Sequence, residues 1–278
     1  MAEVNHRYLR DLEGEMYFPK THIEAVIDAD KLGKSSNLAG KNIVVFGDSN
    51  TELGNYPELV GETLGANIVK AGFYGCRMSD HTNNSYLNMA SMQKMAEFIR
   101  KKDFTELVTS MNEYYANGGR DYRTQANALN NVNWDSIDLI TVFFGGNDFG
   151  SSKALGTEND TTGATFKGAI NKVIKSIHET LPTVRIVFIC PMFRSRIYAV
   201  NGENSDENPN TAGIYFKEYI ESIEGITKKN HVTSINLHNL SGINKYNADY
   251  YLSDGKHPNS LSYETIARII SNRLELLY

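Results

Sequence analysis

Apolar residues in this chain fall into two alternating patterns. Short β-branched runs of four to eight residues are followed by longer segments with apolar positions three or four apart. The first clear run is Asn42-Ile43-Val44-Val45-Phe46-Gly47, which stops abruptly at Gly47-Asp48-Ser49. Such a run, bounded by turn chemistry, predicts a buried strand. Further strands are predicted at 67–72, 137–144, 184–190 and 233–237. Helical spacing fills the intervals, at 56–64, 85–116, 165–180, 212–229 and 260–276. Met89, Met92 and Met95 sit at helical spacing and read as packing residues. Gly65 and Asn117-Gly118-Gly119 mark helix ends, and Leu181-Pro182 marks a turn into the next strand. Strand and helix alternate five times, which predicts an α/β domain with a mostly parallel sheet covered on both faces.

Residues 1–40 show no clear period and predict an N-terminal appendage to a domain spanning 41–278. Within it, Tyr17 to Ile27 reads as an extended piece followed by a short strand or turn. Residues 201–210, rich in Asn, Glu and Asp, read as a solvated loop.

Composition narrows the class. The chain has 278 residues, 41% hydrophobic and 22% charged, as in ordinary globular proteins. A net charge of -5 gives no electrostatic case for nucleic acid. Cys76 and Cys190 form no C-x-x-C pair and read as small buried apolar groups. The polar start Met1 to Arg10 lacks the apolar core of a signal peptide, and no run reaches the length of a membrane span. The remaining six histidines (His6, His22, His81, His178, His231, His238) lack metal-ligand spacing, so no metal and no cofactor are expected.

In a parallel sheet the strand-exit loops gather on one edge. Three of them carry chemistry: Ser49, Gly75 and Asn147. A fourth loop, before the last helix, carries Asp254 and His257. Serine hydrolysis needs a base for the hydroxyl proton, an acid to orient that base, and donors for the oxyanion. His257 suits the base. Asp254, three positions earlier, can reach its ring across a short turn. Gly75 can offer a backbone N–H and Asn147 a side-chain amide.

Gly47-Asp48-Ser49, Gly75, Gly145-Gly146-Asn147-Asp148 and Asp254-Gly255-Lys256-His257-Pro258-Asn259, in that order, resemble the four blocks of the SGNH/GDSL hydrolases. The resemblance covers about three-quarters of the chain. It implies a flavodoxin-like three-layer α/β/α sandwich with a five-stranded parallel sheet. It also implies Ser49 as nucleophile, His257 as base and Asp254 as its partner. The oxyanion hole would be the Ser49 and Gly75 N–H groups and the Asn147 side chain. Asn50 stands where the name motif has leucine. The stretch from Gly75 to Asn147 is longer than in compact members, so a helical insertion near 76–135 should overhang the site. Thr51 replaces the second glycine of the G-x-S-x-G elbow, which argues against the α/β-hydrolase fold.

Other residues read more plainly. Asp48 and Asp148 should brace their own turns. Arg194 and Arg196 could reach an anionic substrate, or be two solvated arginines. The Asn83-Asn84-Ser85, Asn159-Asp160-Thr161 and Asn239-Leu240-Ser241 triplets match the glycosylation pattern, which without a secretion signal reads as chance. Arg10-Asp11-Leu12-Glu13-Gly14 and Tyr17 to Val26 resemble a segment of bacteriophage tail and receptor-binding proteins. That resemblance implies a homo-oligomeric virion component acting on an acetylated host glycan; otherwise the chain is expected in the cytoplasm. The expected activity is hydrolysis of O-acyl esters, foremost O-acetyl groups on carbohydrate. The alternatives are a lysophospholipase or thioesterase, and a tail glycan-binding module with a vestigial site.

Overall fold

The computed structural model describes residues 9–10, 16–17, 36–195 and 203–278. The chain divides into two compact units, Met1–Ser36 and Asn37–Tyr278. In the first, β1 (Leu9–Arg10) pairs antiparallel with β2 (Met16–Tyr17). The rest of the tail-like segment, including 18–27, lies outside the described residues, as does Arg196.

The second unit is built on five parallel strands: β3 (Asn42–Gly47), β4 (Asn67–Gly72), β5 (Leu139–Phe143), β6 (Arg185–Cys190) and β7 (Thr233–Asn236). Their order is β4-β3-β5-β6-β7. Ile43 stands opposite Ile68 on one side and Leu139 on the other, and Val187 pairs with Thr233. The chain runs from β3 outward to β4, then returns past β3 to β5. The order therefore reverses beside β3, and a crevice opens there at the carboxyl ends of the strands.

Alternation along each strand feeds two cores. Val44, Phe46, Ile140, Val142, Ile186 and Phe188 face one apolar cluster. Ile43, Val45, Leu139, Phe143, Val187 and Ile189 face the other. Continuous apolar runs are thus what a strand buried on both faces requires.

The helices, in chain order, are α1 (Ser49–Leu53), α2 (Tyr56–Leu64), α3 (Ser85–Met89), α4 (Met92–Lys101), α5 (Thr105–Ala116), α6 (Arg123–Asn130), α7 (Gly146–Gly150), α8 (Phe166–Thr180), α9 (Phe216–Lys229), α10 (Leu237–Leu240), α11 (Ala248–Tyr251) and α12 (Ser260–Glu275). α2 and α12 contribute to the cluster around Val45, and α4, α8 and α9 to the cluster around Phe46.

Three expectations change. The helical pattern at 85–116 is three helices: the backbone turns extended at Ser91, which precedes the second, and Lys102 adopts a left-handed conformation (φ 52) that ends it, after which Asp103 accepts the Thr105 N–H to start the third. The helix expected from 212 begins at Phe216, where Glu218 accepts the Tyr215 N–H at 2.7 Å. The polar loop expected to be fully solvated is partly built into the fold: Ser205 is fully buried and its hydroxyl donates to the Arg194 carbonyl at 2.5 Å. A buried hydroxyl needs such a partner.

The region between Gly75 and Asn147 holds α3 to α6. Trp134 pins it to the sheet, stacked on Phe104 at 5.1 Å and on Phe46 of β3 at 6.4 Å. Both cysteines are buried free thiols, and burial pushes both pKa values up.

Candidate active site

The turn that carries Ser49 depends on close approach. A Cβ at Gly47 would lie 1.8 Å from the Thr51 hydroxyl, so a side chain there would block α1 from folding back on its strand. Asp48 then caps α1, accepting the Asn50 N–H at 2.9 Å. Ser49 is the first residue of that helix, and its N–H is among the first-turn donors that the helix itself cannot use.

The His257 loop closes on itself. Asp254 Oδ1 accepts the Lys256 N–H at 3.0 Å and the His257 N–H at 2.8 Å. Its Oδ2 lies 2.7 Å from His257 Nδ1. With Nδ1 carrying the ring proton, Nε2 is the acceptor, and the Ser49 hydroxyl is 2.8 Å from it. Ser49 and His257, 208 positions apart in sequence, are both buried. Burial raises the Asp254 pKa, but the bonds from the His257 ring and the two backbone N–H groups outweigh it and hold the carboxyl below its ordinary range. Asp254 is therefore charged where it faces the ring.

The donors stand opposite. Gly75 adopts φ 77, and a Cβ there would meet only Leu87, at 3.8 Å. The glycine is required by its left-handed backbone and not by lack of space. Among the described residues the Gly75 N–H meets no acceptor. Asn147, in the first turn of α7, donates through Nδ2 to the Cys76 carbonyl at 2.9 Å and more loosely to Asp48 Oδ2 at 3.4 Å. That long second contact leaves one amide hydrogen available to a ligand. The cleft at this point is lined by Asp48, Ser49, Asn50, Gly146, Asn147, Pro191, Met192, Arg194, Lys256 and His257.

Asp48 braces its own turn, and burial raises its carboxyl to about 6 against the opposing pull of the Asn50 N–H, His257 and Arg194. Asp148, expected to brace its own turn, instead bonds a distant one. It is fully buried and accepts from Met78 N at 2.9 Å, Ser79 N at 3.1 Å and Ser79 Oγ at 2.5 Å, so it clamps the exit loop of β4 from seventy residues away. Arg194 lines the cleft but is buried, not solvated. Its Nη1 donates to the Gly146 carbonyl at 2.5 Å and its Nε to the Ser195 carbonyl at 3.0 Å.

Two neighbours of His257 were missed in the sequence reading. Tyr74 places its ring 5.7 Å from the His257 ring. Lys256 enters the cleft between the two motif residues, and burial together with Arg194 lowers its pKa to about 8. Their only sequence signal is adjacency to Gly75 and His257. Among the described residues no group of three or more His, Cys, Asp or Glu could hold a metal ion, and no helix is long and apolar enough to cross a membrane.

Comparison with known proteins places this geometry. A family model for GDSL-like lipases/acylhydrolases matches residues 43–270. No curated protein matches the chain in sequence. Among solved structures, a Lactobacillus plantarum protein superposes with a TM-score of 0.60 at 20% identity, covering 87% of this chain and 100% of its own. A carbohydrate acetylesterase family member from Sinorhizobium meliloti gives 0.52 at 13%, covering 85% and 98%. The aryl esterase of M. smegmatis gives 0.51 at 13%, covering 86% and 100%. At these identities the structures attest the fold. The family match spans most of the chain, including all four motif blocks, and so the chain belongs to the GDSL-like lipase/acylhydrolase family of carboxylic ester hydrolases.

Proposed function

We propose that the chain hydrolyses short O-acyl esters, foremost O-acetyl groups on carbohydrate, with Ser49 as nucleophile, His257 as general base and Asp254 orienting and stabilising the imidazolium. The observation that carries this reading is the continuous hydrogen-bonded line from Asp254 through His257 to Ser49, at 2.7 and 2.8 Å. Ser49 Oγ attacks the ester carbonyl as its proton passes to His257 Nε2. The Ser49 and Gly75 N–H groups and the Asn147 amide receive the oxyanion. His257 then returns the proton to the departing alcohol, and water, activated by the same imidazole, releases the acid from Ser49.

A short acyl group suits the cleft. Its wall is mostly polar, with Pro191 and Met192 the apolar exceptions, and a long chain would leave those polar groups unpaired. The test is acid release from p-nitrophenyl esters of increasing chain length and from a panel of acetylated polysaccharides, beside Ser49→Ala. Turnover of acetyl esters should exceed that of octanoyl esters, and Ser49→Ala should abolish both. A preference for octanoyl esters would contradict the short-chain assignment.

A further inference from the structure

The insertion sends one short segment, between α5 and α6, behind the active-site wall. Tyr122 is buried, and its hydroxyl donates to the Tyr74 carbonyl at 3.2 Å. That carbonyl belongs to the same peptide plane as the Gly75 N–H. In a trans peptide the two groups point in opposite directions. Holding the carbonyl from behind therefore aims the N–H forward. Burial pushes the Tyr122 phenol up, so its hydroxyl keeps its proton at working pH.

Arg120 approaches the same residue from another side. Its guanidinium carbon lies 4.9 Å from the centre of the Tyr74 ring. Its Nε donates to Glu52 Oε1 at 2.5 Å, while Glu52 Oε2 accepts the Tyr74 N–H at 2.6 Å. Glu52 sits in α1, the helix that begins with Ser49. Tyr74 is thus held at its N–H, its carbonyl and its ring. The ring it presents to His257 is the one Arg120 covers.

We propose that the segment from Arg120 to Tyr122 is a positioning element of the active site: Tyr122 aims the Gly75 N–H into the oxyanion hole, and Arg120, through Glu52, holds the Tyr74 ring against His257. The proposal rests on the assignment of Gly75 as an oxyanion donor and His257 as the base. A compact relative without this segment must support the same peptide by other means.

The experiment measures p-nitrophenyl acetate kinetics, thermal midpoint and affinity for phenylboronic acid, whose serine adduct is tetrahedral. The variants are Tyr122→Phe, Arg120→Ala, Arg120→Lys and Ser49→Ala. Tyr122→Phe keeps the buried ring and removes one hydrogen bond. It should lower kcat about three- to ten-fold with KM nearly unchanged, and weaken the boronate by a similar factor. Arg120→Ala should lower kcat several-fold, and Arg120→Lys should recover most of it, since an ammonium can reach both Glu52 and the ring face.

A Tyr122→Phe enzyme with wild-type kcat and boronate affinity but a lowered midpoint would overturn the proposal, because Tyr122 would then serve folding alone. Arg120→Lys no better than Arg120→Ala would overturn the Arg120 half. If Tyr122→Phe is not recovered folded, the Arg120 pair decides alone. Ser49→Ala separates the two levels. Its retention of turnover would refute the site assignment itself. Its loss, beside unchanged Tyr122→Phe kinetics, would refute only the positioning role.

Discussion

The two sides of the cleft are held together in different ways. On the Ser49–His257 side the loops secure themselves mostly by local bonds: Asp48 bonds the backbone two residues on and Asp254 two and three residues on, with one remote bond from the Ser195 N–H to the Gly255 carbonyl at 2.7 Å. On the Gly75 side the loop from Tyr74 to His81 is held from afar. Asp148 takes Met78 and Ser79, Asn147 takes Cys76, Tyr122 takes the Tyr74 carbonyl and Glu52 the Tyr74 N–H. Local bonds leave short, spaced motifs in the sequence. Remote bonds leave isolated residues with no spacing to recognise. The Ser49–His257 side is consequently the more legible, and the Gly75 side the more dependent on the rest of the fold.

Mutations can separate the sides. The largest effect is expected on the self-contained one. Ser49→Ala and His257→Ala should each cost about 10⁴-fold or more in kcat, with an unchanged circular dichroism spectrum. Asp254→Asn should cost less than either, because the ring then loses its charged partner while Ser49 and the oxyanion donors remain. An Asp254→Asn enzyme as damaged as His257→Ala would show that orientation of the ring matters as much as its basicity.

Asn147→Ala crosses to the other side. It removes the proposed oxyanion donor and should lower kcat by about a hundred-fold or more, roughly 3 kcal/mol of transition-state stabilisation, with little change in KM. A raised KM at constant kcat would instead place the amide in ground-state binding.

Asp148→Ala tests the remote anchoring itself. It strips the acceptor from two buried backbone donors, so urea denaturation should report a loss of about 2 kcal/mol or more, with activity falling alongside. Wild-type stability in this variant would mean that the β4 exit loop needs no distant clamp.

The smallest effect concerns Asp48 and its pH dependence. Burial lifts its carboxyl from 3.8 to about 6, so between those values the folded protein retains a proton that the unfolded chain has released. Stability from this group is full below about pH 4 and falls as pH rises to about 6. Asp48→Asn removes the titration. Relative to wild type the variant should gain stability as pH rises across that window. Equal differences at pH 4 and pH 7.5 in urea titrations would show that Asp48 does not titrate there.

Much of the fold was legible because strands buried on both faces must be continuously apolar, and helices packed on them must carry a periodic stripe. That accounts for β3, β5 and β6 and for α2, α8 and α12, whereas the edge strands β4 and β7 are only partly buried and not continuously apolar. The break at Lys102 was not legible, since a left-handed lysine has no signature until the flanking helices pack. Nor was the short helix α6, whose stripe is only Ala126 and Leu129.

By itself, the sequence determined the alternation of elements, the turn chemistry at Gly47 and the Asp254–His257 spacing, because each depends on residues within a few positions of one another. The tertiary structure alone decided that Ser49 meets His257 across 208 positions, that Asp148 reaches back to Ser79, that Arg194 is spent on the Gly146 carbonyl, and that Arg120 and Tyr122 stand behind Tyr74. The shared direction of the parallel strands brings these loops to one edge, and the reversal of strand order beside β3 opens the crevice there. Whether a given side chain there faces the cleft or the backbone behind it depends on which buried donors and acceptors need a partner, and that demand arises only once the chain has closed around them.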